Sequence, residues 1–492
     1  MRCSTTLVVA GSGVKSIRVA LPGLGVFAVL WVITLFRGDA SEYMTREIES
    51  MWQSAGIGLL SSDPLGTLRV LHTQPPGMNA LFAIDVQISG QSHWFLLGLY
   101  CLATMLTIVL LVDALRRVGV ASSWAASAGV VLALLPSTVI YSQWAYSVAI
   151  VSCLAMACVW GIAVIQESVA VGVTVSSLSA AGLVLIRPSF TWLFLVGWVV
   201  GLTVVVWRNT KRRRLLAVTP MLVAVIAVGA VQLHYLTSFG LPFMSSWSGE
   251  NVAKALAVSN SLSVTPEARD RIDEDVCLSD LLAAYEQDNV NRWDWQAFRG
   301  LPGCSTVPGL PDRSAEAWNV PIKPGTEEGN FIFSERLVTS RYWSQMMGVI
   351  IREDPWQLVR MAVTTEYGPR NSGIGLYLGP SEDYFFVRPI RDAQPLAVPL
   401  GLVSVVFAPA LLVLVVAGLV LTAFPRGRDL RRIPTFWFGA GLIAYHAMVN
   451  TLLEYSENMR YRAEIDPVLL FTGVLVLFLI VSPRRSGDRV AQ

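Results

Sequence analysis

The stretch VALPGLGVFAVLWVITLF, residues 19–36, decides the fold: it is uncharged and 18 residues long. A run of that length matches the hydrocarbon thickness of a bilayer crossed by a helix. Arg37-Gly38-Asp39-Ala40-Ser41-Glu42-Tyr43 follows at once. A carboxylate where a membrane helix meets water is costly unless it has a task. Asp39 and Glu42 are three positions apart and share a face on a helical turn. Two acids so placed can supply a general base and an orienting partner or metal ligand. They can equally do no more than mark a helix exit and its first solvated turn.

The whole chain repeats the pattern of the first run. Of its 492 residues, 53% are hydrophobic and 15% charged, against about 25% charged in soluble domains. Mean hydropathy is +0.54. The net charge of +2 gives no electrostatic case for a nucleic-acid partner. Length and hydropathy predict an all-α polytopic membrane protein of about ten spans. They are Val19–Phe36, His93–Leu115, Ser123–Leu135, Trp144–Ile165, Val171–Ile186, Phe190–Trp207, Leu216–Leu236, Leu396–Phe424, Pro434–Leu452 and Val468–Val481. Basic clusters follow the second, sixth, eighth and tenth of these, at Arg116-Arg117, Lys211–Arg214, Arg426–Arg432 and Arg484-Arg485. With Lys15 and Arg18 they fall on one side, which the positive-inside rule makes cytoplasmic. The expected topology is a multi-pass plasma-membrane protein with both termini inside and an uncleaved first span. It divides into a membrane module, 1–236, an extracytoplasmic unit, 237–395, and a second membrane module, 396–492.

Four segments then lie outside: 37–92, 136–143, 237–395 and 453–467. The long one reads as a small, mostly helical unit. Thr265-Pro266-Glu267 is a helix start with proline in its first position. Cys277–Gln287 and Leu337–Ile351 carry helical apolar spacing, another helix runs from Asp354-Pro355 to about Thr365, and Pro- and Gly-rich Leu301–Gly325 reads as loop. Cys277 and Cys304 could pair in an oxidising compartment, or stay free. Cys101, Cys153 and Cys158 lie in apolar runs as small core residues.

Candidate functional side chains collect on the same outer side. His72-Thr73-Gln74-Pro75-Pro76-Gly77-Met78-Asn79 pins His72, Gln74 and Asn79 near the bilayer, or is only a rigid turn into a helix over Met78–Ile88. Tyr141, in the outer connection 136–146, and Trp247 are candidate sugar contacts or ordinary interface aromatics. The last outer stretch runs Glu454-Tyr455-Ser456-Glu457-Asn458-Met459-Arg460-Tyr461-Arg462-Ala463-Glu464-Ile465-Asp466-Pro467. Its arginines suit a phosphate or pyrophosphate through bidentate hydrogen bonds, although its acids can also neutralise them. Arg187 is a basic residue on the outer side, against the charge rule, which makes it a candidate too. No phosphate loop or dinucleotide fingerprint is present.

Asp39-x-x-Glu42-Tyr43, then His72-Thr73-Gln74-Pro75-Pro76-x-x-Asn79, then Glu457-Asn458-x-Arg460-Tyr461-Arg462 with Asp466-Pro467 together resemble the integral-membrane glycosyltransferases of the GT-C class. The nearest groups are the bacterial family 39/83 branch, protein O-mannosyltransferase-like and aminoarabinose-transferase-like enzymes. The resemblance implies transfer of a sugar from a polyprenyl-phosphate carrier to a glycan, lipid or protein acceptor at the outer face of the bilayer. It implies Asp39 as general base, Glu42 as a second polar group, and Arg460 and Arg462, with Arg187, holding the carrier phosphate. Glu457 and Asn458 join the substrate contacts. The class more often has adjacent acids in its first loop, so the spacing of Glu42 is a departure. No cofactor is fixed; some relatives use a divalent metal ion. Two other readings remain: a transporter or flippase, for which His446, Pro220 and Pro409 are cues, and a non-catalytic envelope-assembly protein on the same scaffold.

Overall fold

The computed structural model describes residues 4–38, 40–51, 54–209, 214–258, 263–287, 295–363, 373–378, 388–394, 397–424, 427–453 and 462–482. Among them regular structure is helical, save one antiparallel bridge between Ile322 and Gly329. Apolar length rather than amphipathic pattern builds the long helices, as hydrocarbon surroundings require. Each of the ten apolar runs holds a helix. They are α1 (Ser4–Arg37), α4 (Trp94–Arg117), α5 (Ser122–Leu134), α6 (Val148–Val164), α7 (Val169–Ile186), α8 (Trp192–Asn209), α9 (Arg214–Phe239), α13 (Ala397–Thr422), α14 (Pro434–Leu453) and α15 (Asp466–Val481). In the intervening stretches the main helices are α2 (Ala40–Ser50), α3 (Gly77–Ser89), α10 (Ser248–Val258), α11 (Val276–Glu286) and α12 (Ser334–Glu353). Four helices are long and apolar enough to cross a membrane by length and composition: those over Lys15–Arg37, Trp94–Arg117, Val169–Ile186 and Ala217–Phe239.

The bundle core is set by close helix pairs. α6 lies against α7 and α4, α1 against α5, and α7 against α9. Two of these contacts are made backbone to backbone. A Cβ on Gly161 would stand 2.6 Å from the Gly172 carbonyl oxygen, and one on Gly23 would stand 2.7 Å from that of Gly129. Small residues let helices approach this closely where packing, not water exclusion, drives association. Pro220 and Pro409 lie inside α9 and α13, not at breaks between helices.

Several sequence expectations are corrected in detail. The fourth apolar run begins at Trp144, yet α6 starts at Val148. Residues 142–147 instead form a buried turn in which Trp144 stacks on Tyr146 at 4.9 Å between ring centres. Leu301–Gly325 is not all loop: short helices form at Pro302–Ser305 and Glu316–Asn319. Elsewhere in the long polar segment, Thr265 accepts a hydrogen bond from the Ala268 N–H and starts the helix Pro266–Asp273, as the sequence predicts. Cys277 and Cys304 are disulfide-bonded. They belong to a second apolar core with Leu278, Leu282, Trp343, Met347 and Ile350, separate from that of the bundle.

Candidate functional site

Arg187 terminates α7, its N–H bonded to the Leu183 carbonyl. The apolar run before it and Pro188 after it aim the guanidinium into protein rather than solvent, and the side chain is 4% exposed. A buried cation needs a partner. Its Nε stands 2.8 Å from Oε1 of Glu464, which is fully buried. The other carboxylate oxygen of Glu464 faces His446 Nε2 at 3.4 Å, from the middle of α14. His446 Nδ1 meets the Tyr377 hydroxyl at 3.1 Å. A consistent reading has the tyrosine donating to Nδ1 and the imidazole Nε2–H donating to the carboxylate. On its other side Arg187 Nη1 donates to the Tyr146 hydroxyl at 3.1 Å, and the guanidinium carbon lies 5.2 Å from that ring's centre. Trp144, stacked on Tyr146, donates from its indole N–H to Glu47 Oε2 at 3.1 Å. Glu47 lies on α2, the helix that begins one residue after Asp39.

A second buried pair adjoins the first. Arg462 Nε lies 3.2 Å from Oδ1 of Asp466, four residues on, and its Nη1 donates to the Leu378 carbonyl at 3.2 Å. Asp466 occupies the first turn of α15, where a helix dipole favours a negative charge. A cavity of about 30 Å³ opens beside it, lined by Thr104, Thr107, Ser137, Tyr141 and Ser152 among others. That is room for a water or two. The cluster thus draws on α2, the turn before α6, the end of α7, α14 and the entry to α15.

Some predicted site residues meet here and some do not. Arg187, Arg462 and Tyr141 come together around residues 462–466. Both arginines, expected as phosphate ligands, carry acid partners from the same chain. Asp39, Arg460, Glu457 and Asn458 lie outside the described residues. Glu42 lies on α2, and its side chain is outside them as well. His72, Gln74, Asn79 and Trp247 are buried. His72 Nδ1 meets Ser246 Oγ at 3.0 Å and its Nε2 lies 3.1 Å from the Ile332 carbonyl. A carbonyl only accepts, so Nε2 carries the proton and Nδ1 accepts from the serine. Burial foremost, then the charges of Arg341 and Arg313, hold this imidazole down to about 3. Asn79 Oδ1 accepts from the Ala55 N–H, the Gln74 carbonyl accepts from the Tyr235 hydroxyl, and Trp247 packs edge-on against Phe331. These contacts tie residues 72–79 to Ala55, Tyr235, Ser246 and Ile332, and Trp247 to Phe331.

Sequence reasoning did not pick out Glu47 or Tyr377; it met Tyr146 only among interface aromatics, His446 only as a transporter cue, and Glu464 and Asp466 only as members of the last polar stretch. The usable signal was Arg187 itself: a cation at the end of an apolar run implies a buried acid elsewhere. It also missed Lys323, which is buried at the tip of the Ile322–Gly329 bridge. Its ammonium donates to the carbonyls of Glu49 and Met51 at 2.5 and 2.9 Å, closing the C-terminal end of α2. Burial pushes it down to about 8, against the pull of Glu49 and Glu328. Among the described residues no group of three or more His, Cys, Asp or Glu could hold a metal ion. No metal-dependent step is drawn from them.

No family model and no curated protein matches the chain. Two solved structures do: the crystal structure of ArnT from Cupriavidus metallidurans in the apo state, and that of ArnT from the same organism bound to undecaprenyl phosphate. Each is 14% identical, with a TM-score of 0.30 and 78% of its own length covered; the matches span 95% and 96% of this chain. A likeness at this level carries no argument about what this chain does. At that TM-score it supplies no residue-by-residue correspondence.

Proposed function

We propose that the chain is a membrane glycosyltransferase that takes a sugar from a polyprenyl-phosphate donor and passes it to a cell-envelope acceptor at the extracytoplasmic face. The observation that carries this reading is the meeting of α2, the end of α7 and residues 462–466 in one cluster of opposite charges. It brings the helix following Asp39 to the end of the molecule where Arg187 and Arg462 lie. In this reading the ten apolar helices all cross the bilayer, both termini are cytoplasmic, and residues 237–395 form the outer unit. The Cys277–Cys304 disulfide suits an oxidising exterior.

The roles follow from charge and position. Asp39 removes the proton of the acceptor hydroxyl as the carbon–oxygen bond to the sugar forms. The sugar leaves its carrier phosphate, and the negative charge gathering there is met by Arg462 and Arg460. Arg187 stays paired with Glu464 and orients the His446–Tyr377 chain. Sugar transfer from polyprenyl-phosphate donors in native membranes tests the assignment. Asp39→Asn is expected to abolish transfer while expression and folding persist; full transfer by Asp39→Asn removes the proposed base.

A second reading has one observation in its favour. Both described arginines are neutralised within the chain, as in a cluster that only fastens helices. A non-catalytic assembly protein would show no transfer with any donor.

A further inference from the structure

The arginines at the outer end of α9 differ from those of the candidate site. α9 ends beside the His72 loop, where the Tyr235 hydroxyl holds the Gln74 carbonyl. The same loop leads into α3, and a Cβ on Gly77, its first residue, would stand 2.5 Å from the Leu185 carbonyl oxygen of α7. The end of α9 therefore lies on the Arg187 side of the bundle. There Arg313 Nη2 donates to the Ser238 carbonyl at 2.8 Å. Arg341, on α12, donates to the Phe239 carbonyl from Nη2 at 2.5 Å and from Nε at 3.2 Å. The guanidinium of Arg313 also lies 4.3 Å from the ring centre of Trp318 and 5.1 Å from that of Phe239, stacking that fixes its plane.

Among the described residues neither arginine has an acid within ion-pair distance. Asp312 and Glu316, close by in sequence, are exposed and pair with neither. Burial holds both guanidinium groups below their usual range, and the charge of Arg313 adds to this at Arg341. Each guanidinium has five N–H donors, and the three hydrogen bonds leave most of them open at a half-buried surface. An adjacent cation pair without an acid, in fork geometry, is the arrangement a phosphate fits.

The surface below it is apolar. Leu222, Ile226, Leu233 and Leu236 are each more than half exposed. With Gly229, where an added Cβ would meet nothing within 4 Å, they follow one another by four or three positions. That spacing makes one stripe of a broader exposed apolar face, which Val218, Val223 and Val225 widen. It ends one turn or less from the carbonyls that the arginines cap.

We propose that the outer end of α9 binds an anionic glycerophospholipid, its phosphate held between Arg313 and Arg341 and an acyl chain lying along the Leu222–Leu236 stripe. Such a ligand would join α9, the loop bearing Arg313 and the outer helix α12, fastening the outer unit to the leaflet. The site is separate from the Arg187–Glu464 cluster and stands whether or not the transferase reading holds.

Native mass spectrometry of the full chain in detergent tests it, with three probes: phosphatidylglycerol, a diacylglycerol of the same tails without phosphate, and inorganic phosphate. The expected result is one phosphatidylglycerol retained about ten-fold more strongly than the diacylglycerol, a difference of about 1.4 kcal/mol. Inorganic phosphate should displace it poorly. Arg313→Gln with Arg341→Gln should bring the two lipids level. Equal retention of the two lipids by the unmodified chain overturns the proposal without recourse to a variant. Ready displacement by inorganic phosphate overturns its lipid part. Should the double variant fail to fold, Arg313→Lys with Arg341→Lys replaces it. That pair keeps the charge and loses the fork, so retention falls several-fold if the proposal holds and is unchanged if it does not.

Discussion

Two pairs of arginines stand at the same end of the bundle in opposite electrical circumstances. Arg187 and Arg462 are buried against Glu464 and Asp466. Arg313 and Arg341 are half-buried, meet only carbonyls and aromatic rings, and have no acid beside them among the described residues. The first pair holds its helices together by balanced charge: Arg187 stays with Glu464, and the carrier phosphate reaches Arg462 only by taking the place of Asp466. The second is ready for an anion as it stands. Position near an expected catalytic loop is therefore a poorer guide to a phosphate site than the company an arginine keeps.

The contrast breaks most easily at Arg187. Arg187→Met strands the Glu464 charge in the core and should destabilise the protein by about 3–5 kcal/mol. Arg187→Met with Glu464→Gln should recover much of that loss. Thermal unfolding in detergent reads both; a mild Arg187→Met would mean that the pair is not truly buried.

Acid sharpens the second region. His72 is neutral when folded, held at about 3, and has an ordinary value near 6.5 when unfolded. The unfolded state therefore binds the extra proton first, so the stability this residue contributes is present above pH 6.5 and is lost as pH falls toward 3. At pH 5 the loss should be about 2 kcal/mol. His72→Gln should flatten that part of the stability profile; an unchanged acid slope would assign it to other groups.

Lys323→Met removes two hydrogen bonds from the end of α2 and should cost about 1–3 kcal/mol. It should also raise amide exchange over residues 44–51; unaltered exchange there would show that α2 is fixed by the bundle alone. The smallest effect is expected at the unpaired arginines. Arg313→Gln should change stability by only about 0.3–1 kcal/mol, the worth of a cation at a helix C-terminus. A loss as large as that at Arg187 would erase the distinction between the two regions.

The helices were legible because a long apolar run satisfies its backbone polar groups best by coiling: each of the ten runs holds a helix, four of them long and apolar enough to cross a bilayer. Ends were less legible where apolar residues serve another purpose. Trp144 and Tyr146 extend a hydrophobic run, yet they fold into a turn because their rings stack and their polar edges reach Glu47 and Arg187. Arg187 could be singled out as a cation on the wrong side. Its partner Glu464 could not, because local pattern does not encode a contact between segments so far apart. Arg313 and Arg341 were invisible for the same reason, being ordinary charges in a polar segment until α9 brings them together.

The Gly161–Gly172 contact sets how far Arg187 can wander. Where backbone meets backbone at these two glycines, α6 and α7 have little compressible layer to absorb a slip. A shift of one residue would carry the α7 terminus about 1.5 Å along its axis, comparable to half a hydrogen-bond length. Exchanging either glycine for alanine should therefore be felt first as a misaimed guanidinium at the far end of the helix, and only afterwards as a looser bundle.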